Sequence, residues 1–305
     1  MNLNQLKIHY LDGEITKEKY IQDMYQIHKT LFEYSKFLKD TDIKKIEISD
    51  DSILMTSRES DIKIICNPND YRIIPIEILN FGFYEKEELD MVLKLVEKGF
   101  YFYDIGANIG WYSINIAKKV ENIKIFAFEP IPITYNYLKK NIELNNLSQI
   151  STFNFGLSDE ENEFIFYYYP EGSVNASLVN LSKRQSVEEV LCNVKKLDNF
   201  VQDKPVDFIK CDVEGAELLV FKGGLKSINK HKPIIFTELL RKWAFKFDYH
   251  PQDVVEILKD LGYSCYVIEG KNLIKIDRIT EETVQTNFLF LHYEKHDKQI
   301  KELVL

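Results

Sequence analysis

Four acidic residues each close a short apolar run in this 305-residue chain: Asp104 ends FYFYD, Glu129 ends KIFAFE, Asp212 ends DFIKCD and Glu238 ends PIIFTE. Runs rich in β-branched and aromatic residues between polar breaks read as strands. Glu214 and Glu217 follow Asp212 almost at once. If the runs lie parallel in one sheet, these carboxylates gather at its carboxyl edge, where open α/β sheets bind ligands. Such a rim can take a proton from a weakly acidic nucleophile, attract a cationic or hydroxyl-rich ligand, or hold a hard divalent cation. It is a poor cradle for phosphate.

The loop after the first run sharpens this. DIGANIG places Gly106 and Gly110 in a tight strand-to-helix turn, but Asn108 and Trp111 stand where the dinucleotide fingerprint GxGxxG needs glycines. Asp104 beside a pyrophosphate would be repulsive, and no GK[ST] follows to make an ATP loop. S-adenosylmethionine fits better. It has no phosphate and presents an ammonium and a sulfonium near the first strand. Glu129, 19 residues after Gly110, can accept both ribose hydroxyls. Pro130 follows it, and Asn154-Phe155-Gly156 after the third strand can flank the adenine. Taken singly the features are ordinary: glycine turns connect strands to helices, and Asp104 alone could cap a helix.

The elements that must position these residues are legible in outline. From Ile15 to Leu38, Tyr20, Ile21, Met24, Ile27, Leu31, Phe32 and Phe37 recur at helical spacing after an Asp12-Gly13 turn. KIEIS, SILMTS and DIKIIC then read as a small antiparallel meander. This divides the chain into an appendage, 1–80, and a catalytic domain, 81–305. In the latter the helix EKEELDMVLKLVEKG leads into the first strand, and strands alternate with helices thereafter. Alternation means an α/β fold, a parallel sheet with helices on both faces. The last two strands, SCYVIE and TNFLFLHY, lack a helix between them, so the final one is expected to be antiparallel and to sit at the sheet edge.

Bulk properties remove other classes. A net charge of −9 argues against a nucleic-acid partner. Cys66, Cys192, Cys211 and Cys265 are scattered without metal-type spacing and read as buried thiols. No apolar run reaches the ~18–20 residues that span a bilayer, and no signal peptide is evident at the N-terminus. The expectation is a cytoplasmic protein with no membrane span.

FYDIGANIGWYS, FAFEP, NFGLSD, FIKCDVEGAELLVFKGG and PIIFTE, in this order, resemble the FkbM-type S-adenosylmethionine-dependent methyltransferases, over roughly residues 66 to 293, with NDYRIIPIEILNFGFYEKEELDMVLKL as the lead-in. The resemblance implies a Rossmann-like seven-stranded sheet with an antiparallel last strand, and O-methylation, commonly of sugars in glycans, glycolipids or natural products. It implies that Asp104, Gly106, Asn108 and Gly110 line the methionine end of the cofactor, that Glu129 holds the ribose, and that Asp212 and Glu214 sit beside the methyl. EGSVNASLVN resembles a serine-rich lid loop, in which Asn175 and Ala176 stand where small serines or glycines are common and Ser177 remains a contact candidate.

A sugar hydroxyl is a weak nucleophile and needs a base or a metal. Asp212, Glu214 and Glu238 are the catalytic candidates, and Mg²⁺ or Mn²⁺ the ions they suit. Trp111, Trp243, Glu217, Arg241 and His250 are acceptor-side candidates, although His250 before Pro251 is an ordinary cap residue. The expected acceptor is a glycan or other carbohydrate-containing molecule. The N-terminal helix either packs on the domain or pairs with its copy in a homodimer. Two other readings stand beside this one: an NAD-dependent sugar oxidoreductase or epimerase, and a non-catalytic binding module on the same fold.

Overall fold

The computed structural model describes residues 1–172, 176–180 and 187–305. In chain order its elements are α1 (Leu3–Leu11), α2 (Lys17–His28), α3 (Thr30–Phe37), β1 (Ile43–Ile48), β2 (Ile53–Ser57), β3 (Lys63–Cys66), α4 (Ile74–Phe81) and α5 (Lys86–Leu95). The central part comprises β4 (Tyr101–Ile105), α6 (Trp111–Lys119), β5 (Lys124–Phe128), α7 (Pro132–Leu144), β6 (Ile150–Phe153), β7 (Gly156–Leu157), β8 (Asn162–Tyr168) and β9 (Glu188–Lys195). Then come α8 (Leu197–Val201), β10 (Phe208–Cys211), α9 (Glu217–Lys222), α10 (Leu225–His231), β11 (Ile234–Glu238) and α11 (Arg241–Ala244). The chain ends with α12 (Pro251–Asp260), β12 (Tyr263–Glu269), β13 (Asn272–Ile276), β14 (Asn287–His292) and α13 (Asp297–Leu303).

Among the described residues the main sheet has eight strands in the order β13-β12-β14-β11-β10-β4-β5-β6. The five strands from β11 to β6 run parallel, as alternation with helices requires. The four acid-closed runs are β4, β5, β10 and β11, so Asp104, Glu129, Asp212 and Glu238 do lie at or just beyond one edge. β14 is antiparallel to both neighbours, as expected, but it is inserted between β11 and β12 and not placed at the edge. Its sequence explains this: Phe288, Leu289, Phe290 and Leu291 are all 0–1 % exposed, and a strand apolar on both faces cannot close a sheet. The edge is closed by β13, a hairpin return from β12 through Gly270-Lys271 that the sequence reading lacked.

Two other differences matter. The single N-terminal helix is a helix pair, α2 and α3, joined at Lys29, whose carbonyl accepts the Phe32 N–H at 3.0 Å in a tightened turn. A further helix, α1, precedes it, capped reciprocally by Asn2 and Gln5. And β7, β8 and β9 build a second small sheet, in the order β7-β9-β8, where the sequence reading offered at most a strand end at Tyr167-Tyr168-Tyr169. Its inward residues Phe166, Tyr168, Cys192 and Val194 close a small core with Ile131. The expected meander β1-β2-β3 is present. It is tied to α7 by the Asn145 and Asn141 side chains, which accept the Lys63 and Ile65 N–H groups at 2.8 and 2.9 Å. All four cysteines are free and buried. No helix among the described residues is long and apolar enough to cross a membrane.

Candidate active site

A cavity of about 350 Å³ opens beyond the carboxyl ends of β4, β5, β10 and β11. Its floor is the loop from Gly106 to Asn108. Gly106 is fixed there by geometry: its φ is +76°, and a Cβ would lie 1.8 Å from the Asp212 carbonyl oxygen. The Asn108 N–H donates to Glu129 Oε2 at 3.0 Å, and the Ile131 N–H to Glu129 Oε1 at 2.9 Å. Glu129 is therefore held rigidly at the tip of β5, and burial pushes its carboxyl up to about 7 against those two backbone hydrogen bonds. Pro130 and Gly156 continue this wall, with Leu157, Phe166, Ala176 and Leu178 from the second sheet.

At the other end Asp212, Glu214 and Glu238 line the cavity, with one oxygen of each within 4.8 Å of the others. Burial, with Asp212 next in weight, pushes Glu238 up to about 9 and Glu214 well above the usual carboxylate range. Glu214 Oε2 is buried without a hydrogen-bond partner among the described residues. Crowded carboxylates of this kind retain protons at neutral pH, so each can take a proton from a substrate only after releasing its own.

The structure brings Gly106, Asn108, Glu129, Pro130, Gly156, Asp212, Glu214, Glu238, Trp111 and Trp243 to this cavity. The other site expectations fall elsewhere, each for a visible reason. Asp104 is fully buried beneath the floor, accepting the Ser113 hydroxyl at 2.6 Å and lying 3.5 Å from Lys210 Nζ. It serves an internal ion pair and does not line the cavity. Gly110 turns the chain into α6, where a Cβ would meet Leu138 at 2.7 Å. Phe155 packs into an aromatic cluster with Phe128, Phe153 and Phe200.

The acceptor-side candidates divide similarly. Glu217 is 2 % exposed and accepts the Val213 and Gly215 N–H groups at 3.0 and 3.1 Å and the Tyr249 hydroxyl at 3.1 Å, so it braces the loop after β10. Ser177 donates to the Glu214 carbonyl at 2.8 Å and braces the same loop from the second sheet. Arg241 donates to the Thr280 and Thr283 carbonyls. His250 caps α12, its Nδ1 accepting the Gln252 N–H at 3.1 Å. Trp111 is 5 % exposed and meets Tyr84 edge-on at 6.2 Å, which makes it wall and not an open stacking face. Asn175 lies outside the described residues.

Four charged residues of the cavity were missed. Lys210, in the middle of β10, donates to the Gly106 carbonyl at 2.8 Å and sits 3.5 Å from both Asp104 and Asp212. Despite its burial these anions hold it charged. Its signal was present: a lysine inside FIKC, a run whose four residues are all buried. Lys242, whose Nζ lies 4.3 Å from the Trp243 ring centre, lines the rim next to the position the sequence favoured. Arg72 and Glu85 come from the segment before β4. Three non-glycine residues around the cavity, Glu85, Asn108 and Glu214, have left-handed backbones with φ of 43°, 49° and 53°, the kind of outlier that concentrates at functional sites.

The chain is 31 % identical over 140 residues to Methyltransferase 1 of Beauveria bassiana, covering 39 % of this chain and 56 % of that protein, so it matches little more than half of that relative's length. It is 32 % identical over 191 residues to Methyltransferase sdnD of Sordaria araneosa, covering 52 % of this chain and 72 % of the relative. A crystal structure titled Methyltransferase FkbM, from Methylobacillus flagellatus KT, aligns with a TM-score of 0.40 at 19 % identity over 64 % of this chain and 44 % of that one. Residues 104–265, more than half of the chain, match the sequence model of the Methyltransferase FkbM domain, and on that match the chain belongs to the FkbM methyltransferase family.

Proposed function

We propose that the chain is an S-adenosylmethionine-dependent O-methyltransferase that methylates a hydroxyl of a sugar, in a glycan, glycolipid or glycosylated natural product. The observation that carries this reading is the pairing, within one cavity, of a glycine loop that lacks the dinucleotide glycines and a carboxylate at the tip of β5 with a carboxylate trio at the far end. Gly106, Asn108, Glu129, Pro130, Gly156 and Asp212 are the donor-facing residues in this reading. The acceptor oxygen bonds to the methyl carbon as the carbon–sulfur bond breaks. The hydroxyl proton passes to a carboxylate of the trio, leaving a methyl ether and S-adenosylhomocysteine. Holding oxygen, carbon and sulfur in line supplies up to about 7–11 kcal/mol in favourable cases. The half-buried Trp243, beside Lys242 on the rim, offers a ring face for a sugar.

The trio's spacing also suits one hard cation. We extend the reading to Mg²⁺ or Mn²⁺ held by Asp212, Glu214 and Glu238, which would lower the acceptor's pKa. Loss of turnover on chelation, restored by either ion, is the expected result, and unchanged turnover removes the ion. The donor is tested by calorimetry: S-adenosylhomocysteine should bind wild type and fail to bind Glu129→Ala. No heat with folded wild type sinks the methyl-donor reading, and binding of NAD instead would favour a hydride-transfer enzyme. A one-methylene mass gain on a sugar acceptor tests the substrate class.

A further inference from the structure

The donor of the proposed reaction has an amino-acid end bearing both charges, and the cavity's acids answer only one of them. An α-carboxylate set among Glu85, Glu129, Asp212, Glu214 and Glu238 needs a cation. Among the described residues three line the cavity. Lys210 is occupied by Gly106, Asp104 and Asp212. Lys242 lies at the acceptor end, adjacent in sequence to Trp243, whose Cβ and carbonyl carbon crowd Gly215. Arg72 remains. Its Nε is fixed on Glu77 Oε1 at 2.7 Å, its own N–H donates to the buried Asp70 at 2.9 Å, and its two terminal nitrogens make no hydrogen bond among the described residues. A guanidinium braced at one nitrogen and open at two is a ready carboxylate fork.

Glu85, on the same segment, is the complementary case. Its Oε2 accepts the Tyr112 hydroxyl at 2.7 Å, and among the described residues no ion pair reaches it. Its left-handed backbone, with φ 43°, aims a carboxylate at the cavity that α5 does not need, since Glu87 and Glu88 already serve that helix's first turn. Tyr84 and Ile74 line the same cavity.

We propose that Arg72 and Glu85 clamp the α-carboxylate and α-ammonium of the methyl donor as a zwitterion, from a segment that lies outside the family match at 104–265. The proposal rests on the methyl-donor reading and deepens it. The test is a binding matrix by calorimetry with S-adenosylhomocysteine, its decarboxylated analogue and its deaminated analogue, on wild type, Arg72→Ala and Glu85→Gln. Wild type should prefer S-adenosylhomocysteine over each analogue by about tenfold or more, the scale of a charge-assisted hydrogen bond. Arg72→Ala should lose the preference over the decarboxylated analogue while binding that analogue as wild type does, which also reports a folded site. Glu85→Gln should lose the preference over the deaminated analogue in the same way. Retained preferences, or an equal loss for all three ligands, overturn the clamp while leaving the donor assignment intact. Wild type that binds none of the three overturns both.

Discussion

The N-terminal helices and the strands beneath the cavity were read from the same kind of signal, apolar periodicity, and they came out as opposites. α2 and α3 bury no residue, and α1 buries only Leu6; Ile21, Leu31 and Phe32 are 56, 55 and 69 % exposed. In β4, β10 and β11, by contrast, Phe102, Phe208, Ile209 and Ile235 are fully buried. A stripe fixes which face of a helix is apolar but not whether anything lies against it. A run apolar on both faces leaves no such freedom, because only the interior of a sheet can cover it. Substitutions that would be silent in the first region should therefore be severe in the second.

The largest contrast is expected at Lys210. Lys210→Met leaves Asp104 buried without its cation, and breaking such a pair costs about 3–5 kcal/mol. Denaturant unfolding checks it, and an unchanged midpoint would mean Asp104 does not depend on the lysine. Next is Asp212→Ala, which should weaken S-adenosylhomocysteine binding far less than it lowers turnover, the latter by roughly 10²–10⁴-fold; undiminished turnover removes it from the catalytic set.

The pH profile follows. Because the Glu238 carboxyl is raised to about 9, it is protonated and inert as a base at pH 7 and becomes available as pH rises. Turnover should climb between pH 7 and 9, and Glu238→Gln should flatten that climb. The stability effect has the opposite sign. Burial raises Glu85, Glu129 and Glu217 to about 7, above the usual 4.5, so the folded state holds protons that the unfolded chain has released. Their contribution is complete below about 4.5 and gone above about 7, and the Tm should fall by a few degrees across that window. The smallest effect belongs to the first region: Ile21→Ser and Phe32→Ser should each change stability by less than about 0.5 kcal/mol and leave donor binding alone. A larger loss would show that a partner covers those helices in solution.

How far the sequence could be read depends on what each residue answers to. DIGANIG was legible because Gly106 obeys its own backbone and the neighbouring Asp212 carbonyl, constraints that only glycine satisfies. Glu129, Asp212 and Glu238 were legible because an acid ending an apolar strand has few structural uses. Asp104 shared that pattern and turned out to serve Lys210, since position along a strand does not say which way the last side chain faces. Glu85 was hidden among Lys86, Glu87 and Glu88, where a helix start gives acids an ordinary reason to exist. Arg72 reaches the cavity only through the loop that leads into α4, and nothing local marks that. The second sheet was missed because β8 and β9 are 19 residues apart, from Tyr168 to Glu188, with no tight turn to announce their pairing.

The left-handed turns at Glu85, Asn108 and Glu214 carry a wider consequence. Each costs of order 1–3 kcal/mol that the rest of the fold must absorb. Glycine at any one of them would relax the backbone and delete a polar group from the cavity. Selection for heat resistance alone should therefore erode this protein first at its own cleft, trading turnover for durability.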